Sequence, residues 1–182
     1  MNSHQLYFIA IICPEPFQTE ITAIKNYFFD KYNCTVALKS PAHITLIPPF
    51  TLKHITEDNL LQYLNMFKIN LPELLIELNG FGRFDKRTLF IKPQTNESLF
   101  RLQVTLQQYL IQKLPYLKTA GIFHPHVTIA NRDLTRESFD AEWPDFKDRQ
   151  FIADFTVAAF ALLKLVEKKW QVIATINWRQ RG

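Results

Sequence analysis

Two short segments of the chain share one pattern of a histidine, a threonine and apolar residues between and after them. The segments are His43-Ile44-Thr45-Leu46 and His126-Val127-Thr128-Ile129. In a β-strand, side chains two residues apart point to the same face, so the histidine and threonine of each segment would project together. The apolar residues would face the core instead. Two such strands facing each other would place two imidazoles and two hydroxyls in one cleft.

This set of groups suits displacement at phosphorus, which needs a base on the entering oxygen and an acid on the leaving oxygen. Imidazole can fill both roles, because its pKa of ~6.5 lets one ring be neutral and another protonated near neutral pH. We therefore predict that His43 and His126 are the acid–base pair, and the pattern leaves open which of them is the base. The hydroxyls of Thr45 and Thr128 could donate to the non-bridging oxygens, where negative charge accumulates. The scheme requires no metal and no cofactor.

A third His-x-Thr segment, His54-Ile55-Thr56, is interpreted differently. It continues with Glu57 and Asp58 rather than with an apolar residue. A hydroxyl followed by acidic residues is typical of the first turn of a helix. We therefore predict that Thr56 caps a helix and that this segment has no catalytic role.

The motifs at His43 and His126 occupy the same place in a faint internal repeat. The apolar segment Leu6–Cys13 predicts a strand, and apolar residues three and four apart just after it predict a helix. A shift of 83 residues aligns both elements with later ones and superimposes the two His-x-Thr motifs without a gap. We expect a single domain over residues 1–182, made of two interleaved lobes with repeat copies near 6–46 and 89–129.

Local patterns predict the remaining elements. Apolar spacing and proline or polar breaks indicate a strand, a hairpin, a helix, another strand, a short helix and a terminal hairpin, in that order. Their bounds are Thr35–Leu38, Leu74–Phe84 with Thr88–Ile91, Glu97–Leu114, Thr119–Phe123, Thr135–Glu142, and Phe151–Val166 with Trp170–Trp178. The helix that Thr56 begins falls between the first strand of this series and the hairpin.

Composition limits the ways in which the protein could bind phosphate. The chain has 4 glycines and 16 phenylalanines, and its glycines form no cluster of the kind that a phosphate-cradling loop needs. A P-loop and the glycine-rich loop of a protein kinase are excluded, and a dinucleotide-binding βαβ fingerprint is not indicated. The net charge of +4 is compatible with an anionic substrate but is too small for a protein that coats nucleic acid. Any phosphate must therefore be bound by side chains.

The cysteines and the apolar segments indicate a compartment. Cys13 and Cys34 have no metal-ligand spacing and form no C-x-x-C motif, so we expect two reduced, buried thiols. The chain has no secretory signal pattern and no stretch of 18 or more apolar residues. We expect a cytoplasmic monomer that does not interact with a membrane.

At the two motifs the sequence resembles the 2H phosphoesterase superfamily, which contains 2′-5′ RNA ligase-like proteins and cyclic phosphodiesterases. The resemblance is carried by residues 42–50 and 125–130, with a compatible element pattern over nearly the whole chain. It implies an α+β fold of two lobes related by a pseudo-two-fold axis, with antiparallel sheets lining a central cleft and helices outside. It implies metal-independent action on 2′,3′-cyclic phosphates of nucleotides or RNA ends, or on 2′-5′ linkages, in a reaction that can also run in reverse as RNA ligation. His43 and His126 would be the acid–base pair, and the two threonines would bind the phosphate.

Three further residues are candidates for substrate binding. The resemblance implies a basic residue near the second motif, and Arg132 is the nearest one, although the polar segment around it is also typical of a turn. Phe50 could stack on a base, with core packing as the alternative. Lys92, which the repeat places opposite Ile9, is a third candidate for the cleft.

Three other interpretations stay open at this point. A metal-dependent hydrolase could use His124 and His126 as ligands, with Asp133 as a further donor. A protein of the same fold could bind RNA or a nucleotide without turning it over. Finally, both motifs could be ordinary strand residues whose histidines are hydrogen-bonded within the core.

Overall fold

The computed structural model describes residues 5–85, 87–118 and 121–179. Within these ranges the chain forms eight β-strands and four α-helices. Their bounds are β1 Leu6–Ile12, α1 Phe17–Tyr32, β2 His43–Thr51, α2 Glu57–Met66, β3 Leu74–Phe84, β4 Thr88–Pro93, α3 Glu97–Lys113, β5 Val127–Ala130, α4 Arg136–Asp148, β6 Ile152–Val157, β7 Ala159–Val166 and β8 Lys169–Asn177.

The eight strands form one sheet in the order β6-β3-β4-β5-β2-β1-β7-β8, and every neighbouring pair is antiparallel. Strands β2 and β5 meet in the middle of the sheet, where Ile44 pairs with Val127. This β2–β5 junction joins the two expected sheets into one. The predicted α+β class with antiparallel strands is therefore confirmed.

The strand order is symmetric about the β2–β5 junction. Strand β1 lies beside β2 on one side of it, and β4 lies beside β5 on the other. The segments β1–α1–β2 and β4–α3–β5 thus occupy equivalent positions. In addition, α1 packs against β5 while α3 packs against β2, so each helix contacts the half of the sheet to which its own strands do not belong. This arrangement is the one expected for interleaved copies near 6–46 and 89–129, and the repeat itself stays a prediction.

The two faces of the sheet differ in what covers them. On β1, Tyr7, Ile9 and Ile11 are buried in the main core together with apolar residues of all four helices, and we call this side the helix face. Phe8 and Ala10 alternate with them and belong to a second, smaller apolar cluster on the other side, which we call the cleft face.

Capping side chains define where three helices begin. The Thr56 hydroxyl accepts a hydrogen bond from the backbone N–H of Asn59, and the Asn59 side chain accepts one from the backbone of Thr56. The predicted cap at Thr56 is therefore confirmed as part of a capping box. Asn96 and Thr135 cap α3 and α4 in the same sense by accepting from backbone N–H groups one turn later.

The predicted strand Thr35–Leu38 is wrong, because a 3₁₀-helix forms at Ala37–Lys39 instead. The backbone N–H groups of Thr35 and Val36 both donate to Oδ2 of Asp133. These two donors are therefore taken by a side chain from a distant part of the sequence, and the backbone bends rather than extending along a neighbouring strand.

Three other expected elements also have different bounds. The short helix predicted over Thr135–Glu142 extends as α4 to Asp148. In the predicted strand Thr119–Phe123, residues 119 and 120 lie outside the described residues, and the residues that follow them form bends and irregular chain before β5. The long terminal strand Phe151–Val166 is divided at Ala158 into β6, which pairs with β3 at one edge of the sheet, and β7, which pairs with β1 and β8.

Both cysteines are buried as free thiols, as expected. Burial raises the pKa of Cys13 to about 12 and that of Cys34 to about 11, so neither is a thiolate at neutral pH. Among the described residues, no helix combines the length and the apolar character needed to cross a membrane.

Candidate active site

The two His-x-Thr motifs lie at the β2–β5 junction, in the middle of the sheet. His43 is the first residue of β2, and His126 immediately precedes β5. Ile44 and Val127 are completely buried, whereas both histidines and both threonines are partly exposed. The alternation predicted for the two strands is therefore present.

The strand register brings each histidine next to the threonine of the other motif. Ile44 pairs with Val127, and continuing this antiparallel register by one residue puts His43 opposite Thr128 and Thr45 opposite His126. Residues directly opposite in such a pair have Cβ atoms about 4.5–5.5 Å apart, and diagonal neighbours such as the two histidines about 7–8 Å. Thr45 and His126 accordingly line one cavity. The four side chains form a single cluster on the cleft face.

Both imidazole rings are held in the same way. Nδ1 of His43 lies 2.7 Å from the carbonyl oxygen of Pro41, and Nδ1 of His126 lies 2.7 Å from that of His124. A carbonyl oxygen only accepts, so Nδ1 must be the donor in each ring. Nε2 is then the nitrogen that carries the free lone pair when the ring is neutral. Each ring is thus prepared to take or give a proton at Nε2.

The surroundings of both rings favour the neutral form. Burial lowers the pKa of His43 to about 4, and the Pro41 carbonyl opposes this effect. The positive charge of Lys25 lowers the pKa further, as does His126 when its ring is protonated. Burial also lowers the pKa of His126, against the opposing effect of the His124 carbonyl. Both rings are therefore neutral at pH 7 in the free protein. A bound phosphate would raise both pKa values, because a nearby negative charge favours the protonated ring.

Aromatic side chains surround the two histidines. The ring centroid of Phe8 lies 4.9 Å from that of His43, and Phe84 meets His126 edge-on at 4.9 Å. Phe90 also contacts His126, at 5.5 Å. These rings exclude water from one side of each imidazole, which is the physical cause of the lowered pKa values.

A cavity of about 340 Å³ opens beside His126. Its walls are largely apolar, with Thr45 and His126 among the few polar groups, which is the usual composition of a small-molecule site. The lining residues are Thr45, Leu46, Pro48, Phe84, Ile122, Phe123, His124 and His126. The cavity can therefore accept an apolar or aromatic part of a ligand whose polar part contacts the histidines.

Lys92 lies on the cleft face. It follows Phe90 by two residues on β4, and Phe90 pairs with Thr128 of the second motif. Its side chain is exposed and runs beside Gly80 and Gly82 of the neighbouring strand β3. The structure thus brings Lys92 to the same face as the histidines.

Phe50 and Arg132 lie elsewhere. Phe50 is only 8% exposed and packs against Tyr7 in the main core, at a centroid distance of 6.2 Å. The structure therefore does not bring it to the cleft face, in agreement with the core-packing alternative. Arg132 follows β5 and lines a different, larger cavity together with three other arginines.

Phe8, Phe84 and Lys25 are site residues that the sequence did not single out. The two phenylalanines resemble the other 14 in the chain, and no local signal distinguishes them. Lys25 is 2% exposed, and its Nζ donates to the carbonyl oxygen of Ser40 at 3.0 Å. A signal for it was present, because it lies at helical spacing between buried Ile21 and Phe28 of α1.

In the described part of the chain, no group of three or more His, Cys, Asp or Glu side chains could hold a metal ion. No cluster there supports the metal-dependent alternative. His124 itself is exposed. Its backbone carbonyl accepts the hydrogen bond from Nδ1 of His126.

Comparison with protein families identifies the chain. The family described as "2'-5' RNA ligase superfamily" matches residues 13–169, a range that includes both His-x-Thr motifs. The chain belongs to the 2′-5′ RNA ligase superfamily. The predicted relationship to 2H phosphoesterases is therefore confirmed.

Individual members of the superfamily are distant in sequence. A Bacillus pumilus (strain SAFR-032) protein that its name assigns provisionally to the phosphoesterases is 25% identical over 162 residues, covering 87% of this chain and 91% of the relative. Among solved structures, LigT of E. coli in complex with 3′-AMP has a TM-score of 0.64 at 17% identity, covering 97% of this chain and 99% of LigT. The protein TT0787 of Thermus thermophilus has a TM-score of 0.61 at 19% identity, covering 98% and 100%. These structures share the fold of this superfamily member.

Proposed function

We propose that this protein is a metal-independent phosphodiesterase that opens 2′,3′-cyclic phosphates of nucleotides or RNA ends, or cleaves 2′-5′ linkages. The main support is the matched geometry of the two histidines. Each ring donates from Nδ1 to a backbone carbonyl, leaves Nε2 free and lies opposite a threonine of the other motif. This arrangement supplies a base, an acid and two hydroxyl donors around one point.

In the proposed hydrolysis, each of the two imidazoles transfers one proton. One neutral imidazole takes a proton from water as the water oxygen bonds to phosphorus, and the bond from phosphorus to one ribose oxygen breaks. The other imidazole, protonated once phosphate is bound, gives its proton to that ribose oxygen. Thr45 and Thr128 donate to the non-bridging oxygens. A 5′-hydroxyl in place of water would give ligation, and either histidine fits either role.

The rest of the substrate is proposed to occupy the neighbouring cavity. Phe84 and Phe123 offer aromatic surfaces beside His126 on which a base could stack. Phe84 is thus a better candidate for stacking than Phe50, which is buried in the core. Lys92 on the same face is a candidate for contact with the substrate phosphate. The complex of E. coli LigT with 3′-AMP supports a nucleotide ligand, since 3′-AMP is a ribose phosphomonoester.

The test is turnover of nucleoside 2′,3′-cyclic phosphates in EDTA, followed by the mass of the product. We expect a gain of one water, and we expect His43→Ala and His126→Ala each to lower kcat at least 100-fold with the fold intact. His54→Asn is the matched control, because it alters the third His-x-Thr segment, and asparagine tolerates the positive φ of 63° at this position.

Two results would contradict the proposal. Activity that is lost in EDTA would indicate a metal-dependent hydrolase. A wild-type protein that turns over neither cyclic phosphates nor 2′-5′ oligonucleotides, but binds them as tightly as His43→Ala does, would be a binding module.

A further inference from the structure

Four arginines line a second cavity, of about 830 Å³, between the β3–β4 turn and the loop that joins β5 to α4. Arg83 lies near the end of β3 and Arg87 in the β3–β4 turn, whereas Arg132 lies in the loop and Arg136 is the first residue of α4. We call this the arginine cavity. Its lining also contains two aspartates, so the four positive charges exceed the negative ones by two.

Three of the four guanidinium groups are available to a ligand. Arg83 lies over the Trp143 ring and donates to the backbone oxygen of Asp85. Within residues 5–85, 87–118 and 121–179, the guanidinium groups of the other three cavity arginines form no hydrogen bond and no ion pair. In the described residues the Asp133 carboxylate forms no ion pair with them, and its Oδ2 accepts from the backbone N–H groups of Thr35 and Val36. The planar donor fork of arginine fits phosphate oxygens in pairs.

The arginine cavity and the histidines are close together but separate. Phe84, whose ring contacts His126, and Arg83, which lies over Trp143 of α4, point to opposite faces of β3. The arginine cavity therefore lies around the end of the sheet from the histidines, where Asp85 and Arg87 of the β3–β4 turn line it. Arg132 follows Thr128 by four residues, so their Cα atoms are no more than about 14 Å apart. A stacked strand of nucleic acid advances by about 3.4 Å per nucleotide, so about four nucleotides cover this distance.

We propose that the arginine cavity binds phosphodiester groups of an RNA strand whose terminal cyclic phosphate lies between His43 and His126. This inference rests on the proposed function and narrows its substrate from a mononucleotide to an RNA end. The ligand chemistry is a second phosphate of the substrate. An RNA strand supplies several such groups, which fits three free guanidiniums in a cavity much larger than one phosphate needs. The pyrophosphate of a dinucleotide is the other source of the same chemistry.

The kinetic test compares a nucleoside 2′,3′-cyclic phosphate with a five-nucleotide RNA that ends in the same group. In the double variant Arg87→Gln/Arg136→Gln, kcat/KM should fall at least ten-fold more for the RNA than for the mononucleotide. Arg101→Gln, which changes an exposed arginine of α3 outside the cavity, should affect both substrates equally. A third arm uses a dinucleotide that carries a pyrophosphate and a cyclic phosphate. A selective loss for that substrate alone would overturn the assignment to RNA.

A binding measurement separates failure of this inference from failure of the proposed function. The affinity of a labelled pentanucleotide is measured against salt concentration, where each phosphate contact contributes about −0.7 to the logarithmic slope for a single strand. We expect the double variant to reduce the slope by about 1.4, and an unchanged slope would overturn the inference. If the wild type turns over neither substrate but the double variant still reduces the salt slope of binding, the proposed function is refuted and this inference is not. If the wild type turns over both substrates and the double variant lowers kcat/KM equally for the two, this inference is refuted and the proposed function is not.

Discussion

Lys25 makes the two histidines different at the level of single residues. Its Nζ binds the carbonyl of Ser40, next to Pro41, whose own carbonyl holds Nδ1 of His43. The 83-residue shift aligns Lys25 with Gln108, which is exposed and neutral. Among the described residues, a buried lysine therefore affects His43 but not His126, both through its charge and through the segment that it holds.

Replacing Lys25 should raise the pKa of His43. Lys25→Met keeps a long apolar chain in the buried position and removes the positive charge that opposes protonation of the ring. The increase should be partial, because burial is the larger cause of the low value. An NMR titration of the ring protons measures it, with His126 as the internal reference. An unchanged titration of His43 in a folded variant would contradict the prediction.

His43 should also make the stability of the protein depend on pH. Its pKa is lowered from 6.5 to about 4 in the folded state, so below pH 6.5 the unfolded chain binds a proton that the folded one does not. The free energy of unfolding should therefore fall by up to roughly 3 kcal/mol from this residue between pH 6.5 and pH 4.

Urea unfolding of wild type and His43→Gln at pH 4.5, 5.5 and 7 measures this contribution. The variant lacks the titrating group, so its stability should fall less steeply with acid than that of the wild type. Parallel curves for the two proteins would show that the contribution is absent.

At the level of elements, close packing of β3 on β4 supports the site. A Cβ atom added to Gly82 would lie 2.5 Å from Cε2 of Phe90, so only glycine leaves room for this ring. Phe90 in turn contacts the ring of His126. Because Gly82 of β3 has no side chain, the Phe90 ring of β4 can lie over it and still contact His126.

Gly82→Ala should therefore impair the site. The added methyl group would push Phe90 towards His126, and overpacking of this type typically costs about 1–3 kcal/mol. We expect lower kcat for cyclic phosphate together with a lower melting temperature. Gly121→Ala is the matched control, since nothing lies within 4 Å of its added Cβ. Equal kinetics for both variants would show that Phe90 does not position the histidine.

Local sequence patterns were sufficient for the elements that local forces decide. The strand alternation at His43 and His126 and the cap at Thr56 were predictable, because each depends on residues within one turn or one strand. The bend at Thr35 was not, because it depends on Asp133 from the far side of the chain. The division of the terminal strand at Ala158 could not be predicted for a similar reason, because an apolar segment does not indicate which strands will pair with it.

At the scale of the whole molecule, the helices hold the two halves of the sheet together. Glu142 of α4 is 3% exposed and accepts hydrogen bonds from three side chains of α1. The donors are the hydroxyls of Tyr27 and Tyr32, at 2.7 and 2.6 Å, and Nζ of Lys31 at 2.6 Å. Helix α1 follows β1 but packs against β5, and α4 packs against β3, so this contact ties a helix of the half that contains β1 to the half that contains β5.

Removing that bridge should destabilise the whole fold. Glu142→Ala deletes the acceptor of three hydrogen bonds, and we expect a loss of about 2–3 kcal/mol in the free energy of unfolding. Asp145→Ala, an exposed carboxylate on the same helix, should change it by less than about 0.5 kcal/mol. Urea titration measures both. Similar midpoints for the two variants would show that the bridge contributes little.

The sheet order has a consequence for the protein while it is being synthesised. The strands β3, β4, β5 and β6 lie within residues 74–157 and can pair as soon as that segment has left the ribosome. Strand β1 ends at Ile12, but β7, its partner on one side, begins only at Ala159. At about 5–20 residues per second, β1 waits roughly 7–30 s with an unpaired apolar edge. The half that contains His43 is therefore made first and completed last, and it is the part of the nascent chain most in need of protection.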